Sequence, residues 1–121
     1  MISKTGIKLA DFGLTASLRG EDGKGIFYRG AGTPKYWAPE IHKRKYHGKK
    51  VDIFSIGIVL FIIYGHTLPF GKASIDDIHF RMINSKKENH INYYWKQVEE
   101  RIDHQNEIPV ELKKLFMQIF S

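Results

Sequence analysis

One apolar segment decides the fold, and it reads Val51-Asp52-Ile53-Phe54-Ser55-Ile56-Gly57-Ile58-Val59-Leu60-Phe61-Ile62-Ile63-Tyr64. Apolar side chains lie almost all round a helix of this sequence, which predicts a central helix buried on most sides. Asp52 stands at its start, where a carboxylate suits the positive end of the helix dipole and can also cap the helix. The segment is too short to span a bilayer and is closed by Gly65 and Pro69, so it predicts a core helix.

Peripheral helices are predicted after this segment. The first begins at Ser74-Ile75-Asp76-Asp77, which resembles a capping box, and its apolar face comprises Ile75, Ile78, Met82 and Ile83. The second spans 93–102, and its apolar stripe comprises Tyr94, Val98 and Ile102. The third has Pro109 in its first turn, and its apolar face comprises Leu112, Leu115, Phe116, Ile119 and Phe120. We therefore expect a mainly α fold.

The sequence before the central segment is less regular. Residues 7–10 alternate like a short strand, and the turn Asp11-Phe12-Gly13 follows them. Residues 14–37 are rich in glycine and charge and have no sustained period, which predicts a long irregular loop. Loops of this length inside compact domains are usually functional or disordered.

The composition is that of one folded globular domain, with 121 residues of which 42% are apolar and 26% charged. No cysteine is present, which excludes a disulfide framework and a thiolate metal site and weakly favours an intracellular setting. Residues 1–6 lack the apolar core of a signal peptide. We therefore expect a soluble, intracellular protein with the cytoplasm as its compartment.

The net charge of +6 is concentrated in one basic connector, His42-Lys43-Arg44-Lys45-Tyr46-His47-Gly48-Lys49-Lys50. Such a cluster can bind nucleic acid or a membrane surface or direct localisation, but a lysine-rich turn is more often a solvated connector. The cluster lacks interleaved stacking aromatics and any known nucleic-acid-reading module. We expect neither a nucleic acid nor a membrane as a partner.

Three short motifs follow one another along the chain. Asp11-Phe12-Gly13 alone is weak, since any tripeptide recurs by chance. It is followed by Gly32-Thr33-Pro34-Lys35-Tyr36-Trp37-Ala38-Pro39-Glu40 and then by Asp52-Ile53-Phe54-Ser55-Ile56-Gly57. In this order and spacing they resemble the protein kinase family over essentially all 121 residues. The resemblance implies part of a kinase C-terminal lobe: a short strand, an activation loop, a central buried helix and peripheral helices.

The resemblance assigns the cofactor-binding role to Asp11, Phe12 and Gly13. Asp11 matches the carboxylate that holds Mg²⁺ against the phosphates of ATP. Phe12 is expected to pack inward and set the orientation of the turn. The alternative is that Phe12 is an ordinary aromatic residue of the core. Gly13 is expected to let the backbone swing. The implied cofactors are therefore ATP and Mg²⁺.

The stretch between Gly13 and Ala38 resembles an activation segment. The position that the family commonly phosphorylates holds Arg29, and the nearby hydroxyls of Ser17 and Tyr28 do not match it, so control by loop phosphorylation is in doubt.

Thr33 and Tyr36 resemble the serine/threonine branch, in which Thr33 would reach toward the catalytic aspartate and shape the substrate pocket. The alternative for Thr33 is a merely extended residue before Pro34.

Structural roles are implied for Glu40 and Asp52. Glu40 would pair with an arginine late in the lobe, and Asp52 would brace the catalytic loop. The sequence at 65–70, with Gly65, Pro69 and Phe70, is similar to the calcium/calmodulin-dependent kinase-like group.

The resemblance also implies what residues 1–121 lack. The glycine-rich loop, the phosphate-binding lysine and the H-R-D catalytic loop would precede Met1, and the last helix would follow Ser121. Residues 1–121 are thus expected to be a partial kinase domain without a catalytic residue. An unpaired Glu40 would cost about 3 to 5 kcal/mol, comparable with a total stability of roughly 5 to 15 kcal/mol, so we expect an inactive, marginally folded chain.

Two functions remain open from the sequence. The first is ATP-dependent phosphoryl transfer to serine or threonine of a protein substrate by the intact parent. The alternative is a non-catalytic, pseudokinase-like interaction module. The sequence does not indicate an oligomeric state.

Overall fold

The computed structural model describes residues 2–4, 6–102 and 107–121. Its elements, in chain order, are β1 (Ile2–Ser3), β2 (Gly6–Ile7), β3 (Ile26–Phe27), a 3₁₀ turn (Pro34–Tyr36), α1 (Pro39–His42), β4 (Tyr46–His47), α2 (Gly48–Gly65), α3 (Ile78–Ile83), α4 (Glu88–Arg101) and α5 (Val110–Phe120). The fold is mainly α, as expected. No helix in these described ranges is long and apolar enough to cross a membrane.

The central helix α2 begins earlier than the sequence predicts. The extended residue His47 is its N-cap, and Gly48 is its first residue. Asp52 therefore lies inside the helix, and its predicted capping role is wrong, because β4 runs directly into α2 and His47 occupies the cap. The helix ends at Gly65. Its C-cap His66 has a left-handed backbone (φ 53°), and the His66 N–H donates to the Ile62 carbonyl at 2.8 Å.

The core forms where α2 packs against α5. Aromatic rings fill much of it, and Phe54, Phe61, Phe70, Phe116 and Phe120 are all at least 96% buried. Gly57 permits the close approach of the two helices, because a Cβ atom there would overlap Ile119 Cγ2 and lie 3.1 Å from Phe120 Cε1. A glycine in a helix interior costs roughly 1 kcal/mol relative to alanine, so this glycine serves packing.

One face of α2 is exposed, contrary to the prediction of a helix buried on most sides. We name this face the apolar stripe, and it consists of Ile53, Ile56, Val59, Leu60 and Ile63. Each of these side chains is between 43% and 63% exposed. Ile53, Ile56, Leu60 and Ile63 are spaced like the a and d positions of a coiled-coil heptad, which is the pattern that packs against another helix.

The helix α3 is capped by Asp77 and not by Ser74. Asp77 accepts hydrogen bonds from the backbone N–H groups of Phe80 (3.0 Å), Gly71 (3.0 Å) and Lys72 (3.2 Å). Ile75 therefore lies outside the helix and is 77% exposed, so its predicted place on the apolar face is wrong. Ile78 is also 51% exposed, and the buried face consists of Phe80 and Ile83.

The predictions for the last two helices are largely confirmed. The predicted stripe of Tyr94, Val98 and Ile102 is buried, although α4 begins at Glu88 and Ile102 is its C-cap. In α5 Phe116 and Phe120 are buried, whereas Leu115 is 44% exposed and does not belong to the core face. Glu99 joins the two helices, since its Oε1 lies 2.6 Å from Lys113 Nζ and accepts the Ile108 N–H at 3.2 Å.

The strand predicted over 7–10 is present only at Ile7, where β2 pairs with β1. Residues 8–10 are irregular and exposed. The loop predicted over 14–37 is irregular for most of its length. It also contains β3, which pairs antiparallel with β4 in the register Ile26 to His47 and Phe27 to Tyr46.

Candidate functional site

An open cavity of about 850 Å³ lies between the loop after Asp11 and the first turns of α2. It is lined by four of the residues that the sequence singles out, namely Asp11, Thr33, Tyr36 and Asp52. Glu21, Arg29, Tyr46 and Ser55 also line it. The fold thus brings residues from three separate motifs to one place.

Asp11 has a left-handed backbone, with φ at 62°. A residue other than glycine rarely adopts this conformation, and such strained positions cluster at functional sites. The side chain is exposed, and among the described residues its Oδ1 accepts only a long hydrogen bond of 3.5 Å from the Gly13 N–H. The carboxylate is therefore available to a ligand.

The chemistry of Asp11 fits Mg²⁺ as one ligand of a larger set. Mg²⁺ prefers oxygen ligands and is usually held by one or two carboxylates together with substrate phosphates. Within the ranges that the structure describes, no group of three or more His, Cys, Asp or Glu side chains forms a ready metal site. Asp11 is thus a single carboxylate, and a Mg²⁺ ion beside it would need further oxygen ligands.

The expectation that Phe12 packs inward is wrong for this chain. Its side chain is 67% exposed, because none of the described residues covers it. Gly13 does not have a positive φ, and a Cβ atom there would make only ordinary contact with Asp11 Oδ1 at 3.5 Å. The observed conformation therefore does not require glycine at this position.

Thr33 has the extended backbone that precedes a proline, with φ −79° and ψ 123°. It is the N-cap of the 3₁₀ turn, yet its hydroxyl makes no capping hydrogen bond and is exposed at the cavity. Both interpretations of Thr33 are therefore compatible with the geometry.

Ser55 fixes the 3₁₀ turn to α2, a role that the sequence did not reveal. Its hydroxyl oxygen lies 2.9 Å from the Tyr36 carbonyl and 3.1 Å from the Val51 carbonyl, so it donates to one or shares its hydrogen between them. The sequence signal that could have revealed this role is a small polar residue, Ser55, within a run of apolar residues.

The basic connector is only partly a solvated turn. The Arg44 guanidinium lies over the Trp37 ring at 5.9 Å, and the Trp37 indole N–H donates to the Ala31 carbonyl at 2.7 Å. His42 packs against the same indole at 5.3 Å between ring centroids. Burial lowers the pKa of His42, and the charges of Lys72 and Arg44 lower it further. The lysines of the connector are exposed.

Glu40 lies away from the cavity. It borders a second groove of about 440 Å³ between α1, α2 and α5, together with Ile53 and Leu115. Among the described residues it forms no ion pair, and no charged side chain is fully buried. Its pairing with an arginine remains a prediction. The expected penalty for an unpaired buried charge does not apply, because Glu40 is only half-buried.

The pattern of the protein kinase domain matches residues 1–121, and this chain therefore belongs to the protein kinase family. Two of the relatives are named as CBL-interacting kinases. CBL-interacting serine/threonine-protein kinase 20 of Arabidopsis thaliana is 32% identical over 116 residues, which cover 95% of this chain and 23% of that protein. CBL-interacting protein kinase 30 of Oryza sativa subsp. japonica is 43% identical over 70 residues, covering 57% of this chain and 15% of that protein.

These comparisons confirm the expected resemblance to the calcium/calmodulin-dependent kinase-like group. They also support the serine/threonine branch expected from Thr33 and Tyr36. The chain spans less than a quarter of the length of these relatives.

Proposed function

We propose that this chain forms part of the catalytic lobe of a protein serine/threonine kinase, which transfers the γ-phosphoryl group of ATP to a protein substrate. The observation that carries the proposal is the left-handed, solvent-accessible Asp11 at a cavity that Thr33, Tyr36 and Asp52 also line. In phosphoryl transfer most of the catalysis is positioning and charge neutralisation, and these are the tasks that such an arrangement can perform.

Each residue has a task in this proposal. Asp11 would hold Mg²⁺, which when bound would neutralise negative charge on the phosphates. Thr33 borders the place of the substrate hydroxyl, and Ser55 holds the turn that contains Tyr36. Asp52 lies at the same cavity, where it would brace the backbone of a catalytic loop. The general base would come from that loop, in a longer parent chain.

Our first prediction concerns activity. The isolated chain of residues 1–121 should not transfer phosphate from ATP to a basic serine- or threonine-containing substrate. A parent chain extended upstream through a glycine-rich loop and an H-R-D loop should do so. Incorporation of labelled phosphate by the two proteins, measured side by side, tests this. The proposal would be contradicted if the isolated chain were active, or if an extended chain with an intact H-R-D loop were inactive.

The apolar stripe supports the proposal that the chain works as part of a larger domain. Five large apolar side chains on one helix face form a patch of the kind that marks an interaction surface in a soluble protein. The stripe equally favours the second candidate function, a non-catalytic interaction module. The two differ in the activity of the parent, since a module would stay inactive with its upstream sequence restored.

Our second prediction is that the isolated chain self-associates through the apolar stripe. Ile56→Lys places a charge at its centre and should keep the chain monomeric, because a buried unpaired ammonium is strongly unfavourable. Sedimentation velocity over a concentration series measures this. Ile75→Lys is the matched control, since Ile75 is 77% exposed but lies outside the stripe. If both variants and the unchanged chain have equal sedimentation coefficients at every concentration, the stripe does not mediate self-association.

A further inference from the structure

The part of the loop from residue 19 to residue 29 is ordered by its own backbone. The Glu21 N–H donates to the Ile26 carbonyl at 2.9 Å, and the Gly25 N–H donates to the Arg19 carbonyl at 2.6 Å. Asp22 Oδ1 accepts the N–H groups of Lys24 (2.8 Å) and Ile26 (3.1 Å), and the first of these bonds is the main reason that the pKa of Asp22 is lowered. We name this segment the 19–29 loop.

Tyr46 holds the 19–29 loop from the opposite strand. Its ring stacks on Phe27 with centroids 5.5 Å apart and planes 15° apart, and β3 and β4 pair Phe27 with Tyr46 directly. The Tyr46 hydroxyl donates to the Arg29 carbonyl. On the other side of that peptide segment, the Arg29 N–H donates to Glu21 Oε1 at 3.2 Å. Both backbone groups of Arg29 are therefore satisfied by side chains.

Order in this loop does not depend on a phosphate on serine or threonine within it. Residues 18–32 contain neither amino acid. Arg29 stands where the family commonly has a phosphorylated hydroxyl, and here its backbone is tied to Tyr46 and Glu21. Burial raises the pKa of Tyr46, with the Glu21 charge as a further cause, so the hydroxyl keeps the proton that it donates.

We propose that Tyr46 is a positioning residue that keeps the activation segment ordered without phosphorylation, through its ring stack on Phe27 and its hydrogen bond to Arg29. The importance of this order for substrate docking rests on the proposed kinase function. The order itself does not, and it can be measured on residues 1–121 alone.

Amide hydrogen exchange tests the proposal. It is measured on protein whose intact mass shows that it is not phosphorylated. Tyr46→Ala should lower the protection of the Glu21, Gly25 and Arg29 amides about tenfold or more, because a ring stack and a neutral hydrogen bond are lost together. Tyr46→Phe retains the stack and should lose less. Trypsin should cut the alanine variant faster after Lys24 and Arg29. The control is Tyr93→Ala, which removes a half-exposed tyrosine from α4.

The outcomes separate a local role from a general one. Unchanged protection of the 19–29 loop in Tyr46→Ala would overturn the proposal. If amides of α4 lose protection as well, the chain has unfolded, and Phe27→Ala, which removes the stack from the loop side, then decides. In an active parent, Tyr46→Ala should raise KM for the protein substrate more than it lowers kcat, with rescue by phenylalanine. An inactive parent with the exchange result intact would refute the kinase proposal and leave the role of Tyr46 in ordering the loop.

Discussion

Phe120→Ala is expected to lower the free energy of unfolding by about 3 to 5 kcal/mol, a large part of the roughly 5 to 15 kcal/mol that stabilises a domain. Phe120 is fully buried and lies against four other rings, with centroid distances of 5.4 Å to Phe54, 6.3 Å to Phe61, 5.3 Å to Phe70 and 5.8 Å to Phe116. Removing it leaves a cavity at the place where α2 and α5 meet. Urea unfolding followed by circular dichroism measures the effect.

The control for this prediction lies on the same helix. Leu115 is 44% exposed, so Leu115→Ala should cost less than about 1 kcal/mol. If Phe120→Ala is unfolded already in buffer, Phe120→Leu provides a milder cavity and should shift the urea midpoint in the same direction. A Phe120→Leu midpoint equal to that of the unchanged chain would show that α5 does not dock as observed.

The second large effect is expected at Asp11, in the extended parent chain. Asp11→Asn should lower kcat about a thousandfold, since stabilisation by a metal ion is worth several kcal/mol and about 1.4 kcal/mol is tenfold in rate. Asparagine suits this test because it tolerates the left-handed backbone observed at Asp11 (φ 62°), so charge is lost while the turn is retained. Steady-state kinetics at saturating Mg²⁺ and ATP measure the loss.

Asp22→Asn is the matched control for Asp11→Asn. Asp22 is an exposed carboxylate in the loop that follows Asp11, but it does not line the cavity. Its replacement should leave kcat within about threefold, since the side-chain carbonyl of asparagine can also accept the hydrogen bonds that Asp22 Oδ1 accepts from the Lys24 and Ile26 N–H groups. Equal effects of the two substitutions would indicate that Asp11 acts on the loop and not on a metal ion.

Much of the helical part of the fold follows from apolar periodicity. The buried stripe of α4 and the buried rings of α5 lie where a period of 3.6 places them, because each helix has one partner face. The same argument fails for α2. A helix that is apolar all round does not reveal which of its faces is covered, and the stripe at Ile53, Ile56 and Ile63 is exposed.

The candidate site was predictable only where motifs marked it. The motifs singled out Asp11, Thr33, Tyr36 and Asp52 one by one with separate roles, and the structure brings the four to one cavity. The pairing of β3 with β4 was not predictable, since both strands are two residues long and lie far apart in the sequence. Tyr46 belonged to a stretch that composition marks as a basic connector, so its contacts with Phe27 and Arg29 could not be inferred.

The narrow approach at Gly57 also has a consequence for the order in which the chain is made. Ile119 and Phe120, which fill the space beside Gly57, leave the ribosome about 60 residues later. At a synthesis rate of about 5 to 20 residues per second, α5 is completed on the order of 3 to 12 seconds after the inner face of α2. During that interval Phe54 can contact Phe70 and Phe61 can contact Trp95, but neither ring is yet covered by Phe116 and Phe120. A nascent helix that is apolar on two sides is a natural target for chaperones.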